Sequence, residues 1–260
     1  MRSSVPLDPV SGVYYEVHGS GEPLLLGFPL MASHAEIFGD EAAAVKDGFL
    51  AGLTDAWRVL LLDYPNIGRS RETRPEDLTA EQVCRDLLAV ADAAGFSRFA
   101  YWGYSWGANA GLQLATRTDR LTALVIGGWP PLGAQYADLL AAAEEQMADP
   151  PASSHMVLRS PAQYAQWVHY GRSMAGWDEG QALVRIRCPR LVYAGGEGDV
   201  YAGRHLLRNA SMLRARRQEL EAAGWQVLLI EGRDHAVGLD PAAVVPPVRT
   251  FLDAELRHGH

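Results

Sequence analysis

"WGYSWGAN", residues 102–109, sets one serine between two glycines, each two positions away. Gly makes up 26 of the 260 residues, so composition alone gives roughly 0.13 chance matches to this spacing, and the pattern needs a strand before it and a helix after it. Both are legible. "RFAYWGY" (98–104) is a short apolar and aromatic run of the kind that forms a strand buried on both faces. "WGANAGLQLATR" (106–117) is rich in small residues and reads as a helix that packs close to a sheet. Ser105 therefore stands on a sharp strand-to-helix turn. Gly103 and Gly107 leave room for its strained backbone. The helix N-terminus adds free N–H groups and a positive dipole where an oxyanion would develop.

Further strands are read at "VYYEV" (13–17), "LLLGF" (24–28), "WRVLLLDYP" (57–65), "LTALVIGG" (121–128), "RLVYAGG" (190–196) and "WQVLLIEG" (225–232). Helices fit 40–53, a stretch opened by Thr79 and stopped by Gly95, 203–222 and 242–257. This alternation predicts an α/β fold with a mostly parallel sheet. Residues 130–186 break the rhythm with helical patterns around 134–148 and after Ser160-Pro161, and contain no convincing strand. They read as a helical insertion between two strands, so that 1–260 forms one domain with a core of 1–129 and 187–260.

A serine nucleophile needs a base, and the base needs an orienting acid. Of the eight histidines, His235 alone lies between the last strand and the last helix. His18, His34, His155, His169 and His205 read as surface or packing residues, and His258 and His260 as a tail. The acid is expected just after the strand at 190–196, where Asp199 is the first choice and Glu197 the alternative. Asp234 adjoins His235 too closely in sequence to serve that ring.

These landmarks, "YYEVHGSGEPLLLGFP", "DYPNIGRS", "GYSWG", "IRCPRLVYAGGEGD" and "GRDH", occur in register with the α/β-hydrolase fold family, which the chain resembles over nearly its full length. The order Ser, Asp, His is that of this fold. The resemblance implies a sheet of about eight strands and makes 130–186 a small cap over the active site. It also implies an oxyanion hole from the backbone N–H groups of Phe28 and Trp106. Where the family usually shows His-Gly-x, this chain has Leu26-Gly27-Phe28. In "DYPNIGRS", Asn66 stands where the family has Gly, and Asn tolerates the same left-handed conformation. Relatives that use aspartate as nucleophile form alkyl-enzyme esters; Ser105 points to an acyl-enzyme.

The expectation is a cytoplasmic serine hydrolase of a carboxylic ester, lactone or thioester, its substrate a modest apolar molecule. Trp129, Tyr136, Tyr164 and Trp167, with Tyr170 and Trp177, would wall the substrate site opposite Phe28 and Trp106. A carbon–carbon hydrolase or acyltransferase with the same triad, or a binding protein on this scaffold, are the alternatives. No metal or organic cofactor is implied. A net charge of −8 argues against nucleic acid. The basic cluster Arg204, Arg208, Arg214, Arg216 and Arg217 reads as a solvated helix face. The N-terminal "MRSSVPLDPV" has no apolar core of a secretory signal, and no run reaches the roughly 18 apolar residues of a membrane span. Cys84 and Cys188 suggest neither a disulfide framework nor a zinc site. Oligomeric state is not encoded in any of these features.

Overall fold

A computed structural model describes residues 7–258; Met1–Pro6 of the signal reading, and His260, lie outside the described residues. The strands in chain order are β1 (Tyr14–His18), β2 (Glu22–Leu26), β3 (Trp57–Asp63), β4 (Phe99–Tyr104), β5 (Leu121–Gly127), β6 (Arg190–Gly195), β7 (Val200–Ala202), β8 (His205–Leu207) and β9 (Trp225–Ile230). The seven runs read from the sequence join into one sheet in the order β1-β3-β2-β4-β5-β6-β9. Only β1 runs antiparallel in it, pairing Tyr14 with Asp63 and His18 with Val59. Each remaining pair is parallel. The apolar runs are continuous because helices cover both faces. Leu24, Leu25 and Leu26 of β2 and Val59, Leu60, Leu61 and Leu62 of β3 expose no surface on either side.

Two details differ from the sequence reading. The main sheet has seven strands rather than about eight, and β7 and β8 form a separate antiparallel hairpin. This hairpin occupies the start of the helix expected over 203–222. The helical part begins only at Asn209 and is divided into Asn209–Ala215 and Arg217–Ala222. Gly203, at φ +60°, turns the hairpin. His205 consequently lies in β8, where its ring meets Glu145 at 3.1 Å. Most of the basic cluster is paired at the surface, as Arg204–Glu145, Arg214–Glu231, Arg216–Glu219 and Arg217–Glu221.

Between β5 and β6, residues 130–186 form helices Tyr136–Ala148, Ser154–Val157, Ala165–Ser173 and Glu179–Leu183. A 3-10 turn, Pro161–Tyr164, leads into the third of these. Its start is fixed as the Ser160-Pro161 signal suggests, with the Ser160 N–H donating to the Gln163 side chain at 3.0 Å. The insertion packs into the core. Tyr170, Met174, Leu183 and Ile186 belong to the same apolar cluster as Leu87 and Val90 of the Thr79-capped helix. A seam of polar bonds ties it to the loop after β3. Asn66, fully buried and at φ +65°, donates from Nδ2 to Gln166 at 2.8 Å and accepts from Gln163 at 2.8 Å. Beside it, the Arg159 N–H donates to the Asn66 carbonyl and the Gly68 N–H to the Val157 carbonyl. The left-handed conformation expected of Asn66 is present, and its side chain adds an anchor for the insertion.

Among the described residues no helix is long and apolar enough to cross a membrane.

Candidate active site

β4 carries the chain into the core and stops at Tyr104. Ser105 follows at φ +52°, ψ −118°, a conformation that costs a non-glycine residue on the order of 1–3 kcal/mol. Its N–H donates to the Gly127 carbonyl at 2.8 Å, which fastens the elbow to β5. The helix Trp106–Ala115 starts at once. A Cβ on Gly103 would overlap the Gly107 carbonyl, and one on Gly107 would overlap the Gly27 carbonyl. The two glycines therefore allow backbone-to-backbone approach as well as relief of strain. The second approach brings the loop after β2 against the elbow.

That loop holds Phe28. Neither the Phe28 N–H nor the Trp106 N–H donates to an acceptor among the described residues, which leaves both free for an incoming oxygen. Two tyrosines hold the loop where the family's usual histidine is missing. Tyr64 donates its hydroxyl to the Gly27 carbonyl at 3.0 Å, and Tyr101 donates to the Gly107 carbonyl at 2.7 Å. Their oxygens stand 3.3 Å apart in a fully buried site. Leu30, in the same loop, sits at φ +67°. Nothing in a leucine signals that conformation from sequence.

His235 opens the short helical turn that follows β9. Its Nε2 lies 3.1 Å from Ser105 Oγ, close enough to take the hydroxyl proton. Tyr104 holds His235 in place: its hydroxyl donates to the His235 carbonyl at 2.7 Å, and the two rings are 5.2 Å apart. Burial holds the His235 pKa below the ordinary histidine value, and the neighbouring Asp234 charge opposes this more weakly.

The expected acid is not in contact with the base. Asp199 accepts from the Ser211 N–H at 3.0 Å and from the Ser211 hydroxyl, at the N-terminal turn of the helix Asn209–Ala215. A carboxylate is favourable there, beside free N–H groups and the positive helix end. Glu197 is exposed and offers no alternative contact. Asp234 caps its own turn by accepting from the Ala236 N–H at 2.9 Å. His235 Nδ1 is buried without a partner. Asp199→Asn is therefore expected to lower kcat/KM less than about tenfold, where a bonded triad carboxylate typically contributes about 10⁴-fold. Steady-state kinetics with a thermal melt would test this: a loss above about 10³-fold in folded protein would mean that Asp199 leaves Ser211 for the imidazole.

The predicted aromatics divide into two groups. Trp106 meets Trp167 at 5.1 Å, Tyr170 at 4.7 Å and Tyr64 at 4.7 Å between ring centroids. Trp129 meets Tyr136 at 5.6 Å. Trp177 lies beneath the Arg117 guanidinium, and the Tyr164 hydroxyl is bound to Gln146. Phe28 departs from expectation. Its ring packs with Phe49, Trp102 and Tyr104 in the cluster on the other face of the sheet, so only its backbone can address a substrate.

Fold and site together define a hydrolase-like strand–elbow–helix with a serine–histidine pair. The alpha/beta hydrolase fold family model matches residues 42–186. The chain belongs to the α/β hydrolase fold family. It is 33% identical over 122 residues to the protein named "Putative carbamate hydrolase RutD" of Caulobacter vibrioides, a match covering 46% of this chain and 44% of that one. It is 28% identical over 177 residues to the protein of the same name from Stutzerimonas stutzeri, covering 67% and 65%. The chain thus spans less than two thirds of the length of these relatives. Among solved structures, E-2-(acetamidomethylene)succinate hydrolase superposes with a TM-score of 0.71 at 19% identity, over 97% of this chain and 100% of that one. The enol-lactonase of Burkholderia xenovorans LB400 gives 0.66 at 18%, over 93% and 96%. At these identities the structural likeness concerns the fold.

Proposed function

We propose that the protein is a serine hydrolase that cleaves a carboxylic ester, lactone or thioester of a small molecule through an acyl-enzyme. The observation that carries this reading is the 3.1 Å contact between His235 Nε2 and Ser105 Oγ on a strained elbow beside two free N–H groups. Ser105 Oγ attacks the carbonyl carbon as its proton passes to His235 Nε2. The carbonyl π pair moves onto oxygen, where the Phe28 and Trp106 N–H groups stabilise it. Collapse expels the alkoxide or thiolate, which takes the proton from His235. Water, deprotonated by His235, then attacks the Ser105 ester and releases the acid. Residues 130–186 act as the cap, and Trp129, Tyr136, Tyr164 and Trp167 take part in shaping the acyl site. The cytoplasm is the proposed location and a small molecule the proposed partner. The name printed for the sequence relatives, "Putative carbamate hydrolase RutD", supports acyl chemistry at a carbonyl bearing oxygen and nitrogen.

A p-nitrophenyl ester series tests the reading. A stoichiometric burst of nitrophenol is expected, followed by slower turnover. With each fitting methylene contributing up to about 0.8 kcal/mol, kcat/KM should rise over the first acyl carbons and fall for long chains. Trp167→Ala, which removes the ring packed edge to face with Trp106, should shift the optimum toward bulkier acyl groups. Absence of both burst and turnover throughout the series would leave a binding protein as the better reading.

A further inference from the structure

The two proposed oxyanion donors differ in what fixes them. The Trp106 N–H shares its peptide unit with the Ser105 carbonyl. That carbonyl accepts from the Ala108 and Asn109 N–H groups at 3.0 and 3.2 Å, so the first turn of the elbow helix sets its direction. The Phe28 N–H shares its peptide unit with the Gly27 carbonyl and has no helix to orient it. A trans peptide is rigid and planar, with its C=O and N–H pointing in opposite directions. Whatever holds the Gly27 oxygen therefore aims the Phe28 N–H.

One group holds it. Gly27 is buried, and among the described residues its carbonyl accepts only from the Tyr64 hydroxyl, at 3.0 Å. Tyr101, whose oxygen stands 3.3 Å from that of Tyr64, donates to the Gly107 carbonyl instead. Burial pushes the Tyr64 phenol above its ordinary range, so the proton needed for donation stays on the oxygen. A Cβ on Gly107, two residues past Ser105, would lie 1.8 Å from the Gly27 oxygen. This peptide thus lies against the elbow. Tyr64 also reaches the other donor residue, its ring edge to face with Trp106 at 4.7 Å between centroids.

The residues on either side are anchored, but the peptide between them is not. The Gly27 N–H donates to the Trp102 carbonyl at 2.8 Å, and the Phe28 ring is held among Phe49, Trp102 and Tyr104. Joint rotation about ψ of Gly27 and φ of Phe28 turns the intervening peptide while both Cα atoms stay in place. Glycine, lacking a Cβ, opposes such a turn least of all residues. A turned peptide would put a carbonyl oxygen where the oxyanion needs a donor.

We propose that Tyr64 is a positioning residue of the reaction: by holding the Gly27 carbonyl, its hydroxyl locks the Gly27–Phe28 peptide with the Phe28 N–H turned toward the oxyanion. The inference rests on the Ser105–His235 acyl-enzyme reading and on Phe28 as a donor. It gives a fully buried phenol a share in transition-state stabilisation, exerted through one peptide unit.

The test is Tyr64→Phe, which keeps the ring on Trp106 and removes one hydroxyl. Tyr193→Phe is the control. It too takes one hydroxyl from a fully buried site, where the oxygen accepts from Trp102 Nε1 at 3.1 Å. Rates are taken per active site by fluorophosphonate titration carried to completion, so an unfolded fraction does not count. Acylation and deacylation both pass through an oxyanion, and Tyr64→Phe should slow both together. For a p-nitrophenyl ester kcat should fall at least about tenfold, short of the roughly 10²–10³-fold of a deleted donor. KM should change less than about twofold, the pattern of an interaction made only in the transition state. The inhibition constant of an alkyl boronic acid, whose tetrahedral adduct on Ser105 places an oxygen in the same position, should rise by a similar factor. The pH midpoint set by His235 should not move. Tyr193→Phe should keep kcat and boronate inhibition close to the wild type's. A Tyr64→Phe enzyme that matches Tyr193→Phe in both, or whose loss is confined to KM, overturns the proposal and leaves the acyl-enzyme reading intact. A wild type that neither hydrolyses esters nor binds the boronate overturns that reading, and the proposal with it.

Discussion

Ser105→Ala is expected to fold normally and to lower ester turnover by at least about 10³-fold, because nucleophile and base act as a unit. The substitution removes one oxygen from a half-buried position. It leaves the N–H bond to Gly127 and the positive φ in place, and Ala is no worse suited than Ser to that conformation. A melting temperature close to the wild type's should therefore accompany the loss. Intact-mass measurement after a fluorophosphonate probe gives an independent check. The wild type should gain a single increment, localised to Ser105 by peptide mapping, and the alanine variant none. Labelling of another serine, or turnover surviving the change, would remove Ser105 from the mechanism.

The second large effect belongs to His235. Replacing it by alanine should match the Ser105 loss, and the double variant should fall little further. Its pH dependence has a definite sign. The imidazole accepts the serine proton only when neutral, and burial keeps its pKa below the ordinary value. kcat/KM should rise with pH along a single limb whose midpoint lies below about 6.5, and then stay flat through neutrality. Asp234→Asn, by removing the one opposing charge, should move that limb to still lower pH. The same depression bears on stability. Below about pH 6.5 the unfolded chain binds the proton more readily than the folded one, so acidification weakens the fold until the folded imidazole also protonates. A rate profile centred above the ordinary histidine value would contradict this picture of the base.

The strands and the Ser105–His235 contact were legible because they depend on local pattern and on chain order. Seven runs announced themselves by near-continuous apolarity, and the elbow by its glycines. The β7–β8 hairpin was not legible: "AGRHLL" (202–207) merges into a basic, leucine-bearing stretch with helical spacing, and only Gly203 hinted at a turn. The position of Asp199 depended on where the next helix begins, because Ser211 competes for its carboxylate. Tyr64, Tyr101 and Tyr104 looked like packing, and their rings do pack. Their hydroxyls brace the loop after β2, the elbow helix and His235 through contacts that only the folded chain brings together. Phe28 could have been read better. Leu24, Leu26 and Phe28 alternate along the strand and its extension, and all three lie in the cluster opposite the insertion, while Leu25 faces it.

The seam at Asn66 sets how the insertion can move against the loop after β3. Parting the insertion from the loop after β3 would sever its bonds to Gln166, Gln163 and Arg159 and the Gly68–Val157 bond together. At about 1 kcal/mol net for each, the parted arrangement amounts to on the order of one molecule in a thousand. Movement at that end therefore needs several bonds to open together, whereas exposed side chains elsewhere on the insertion change rotamer within picoseconds to nanoseconds.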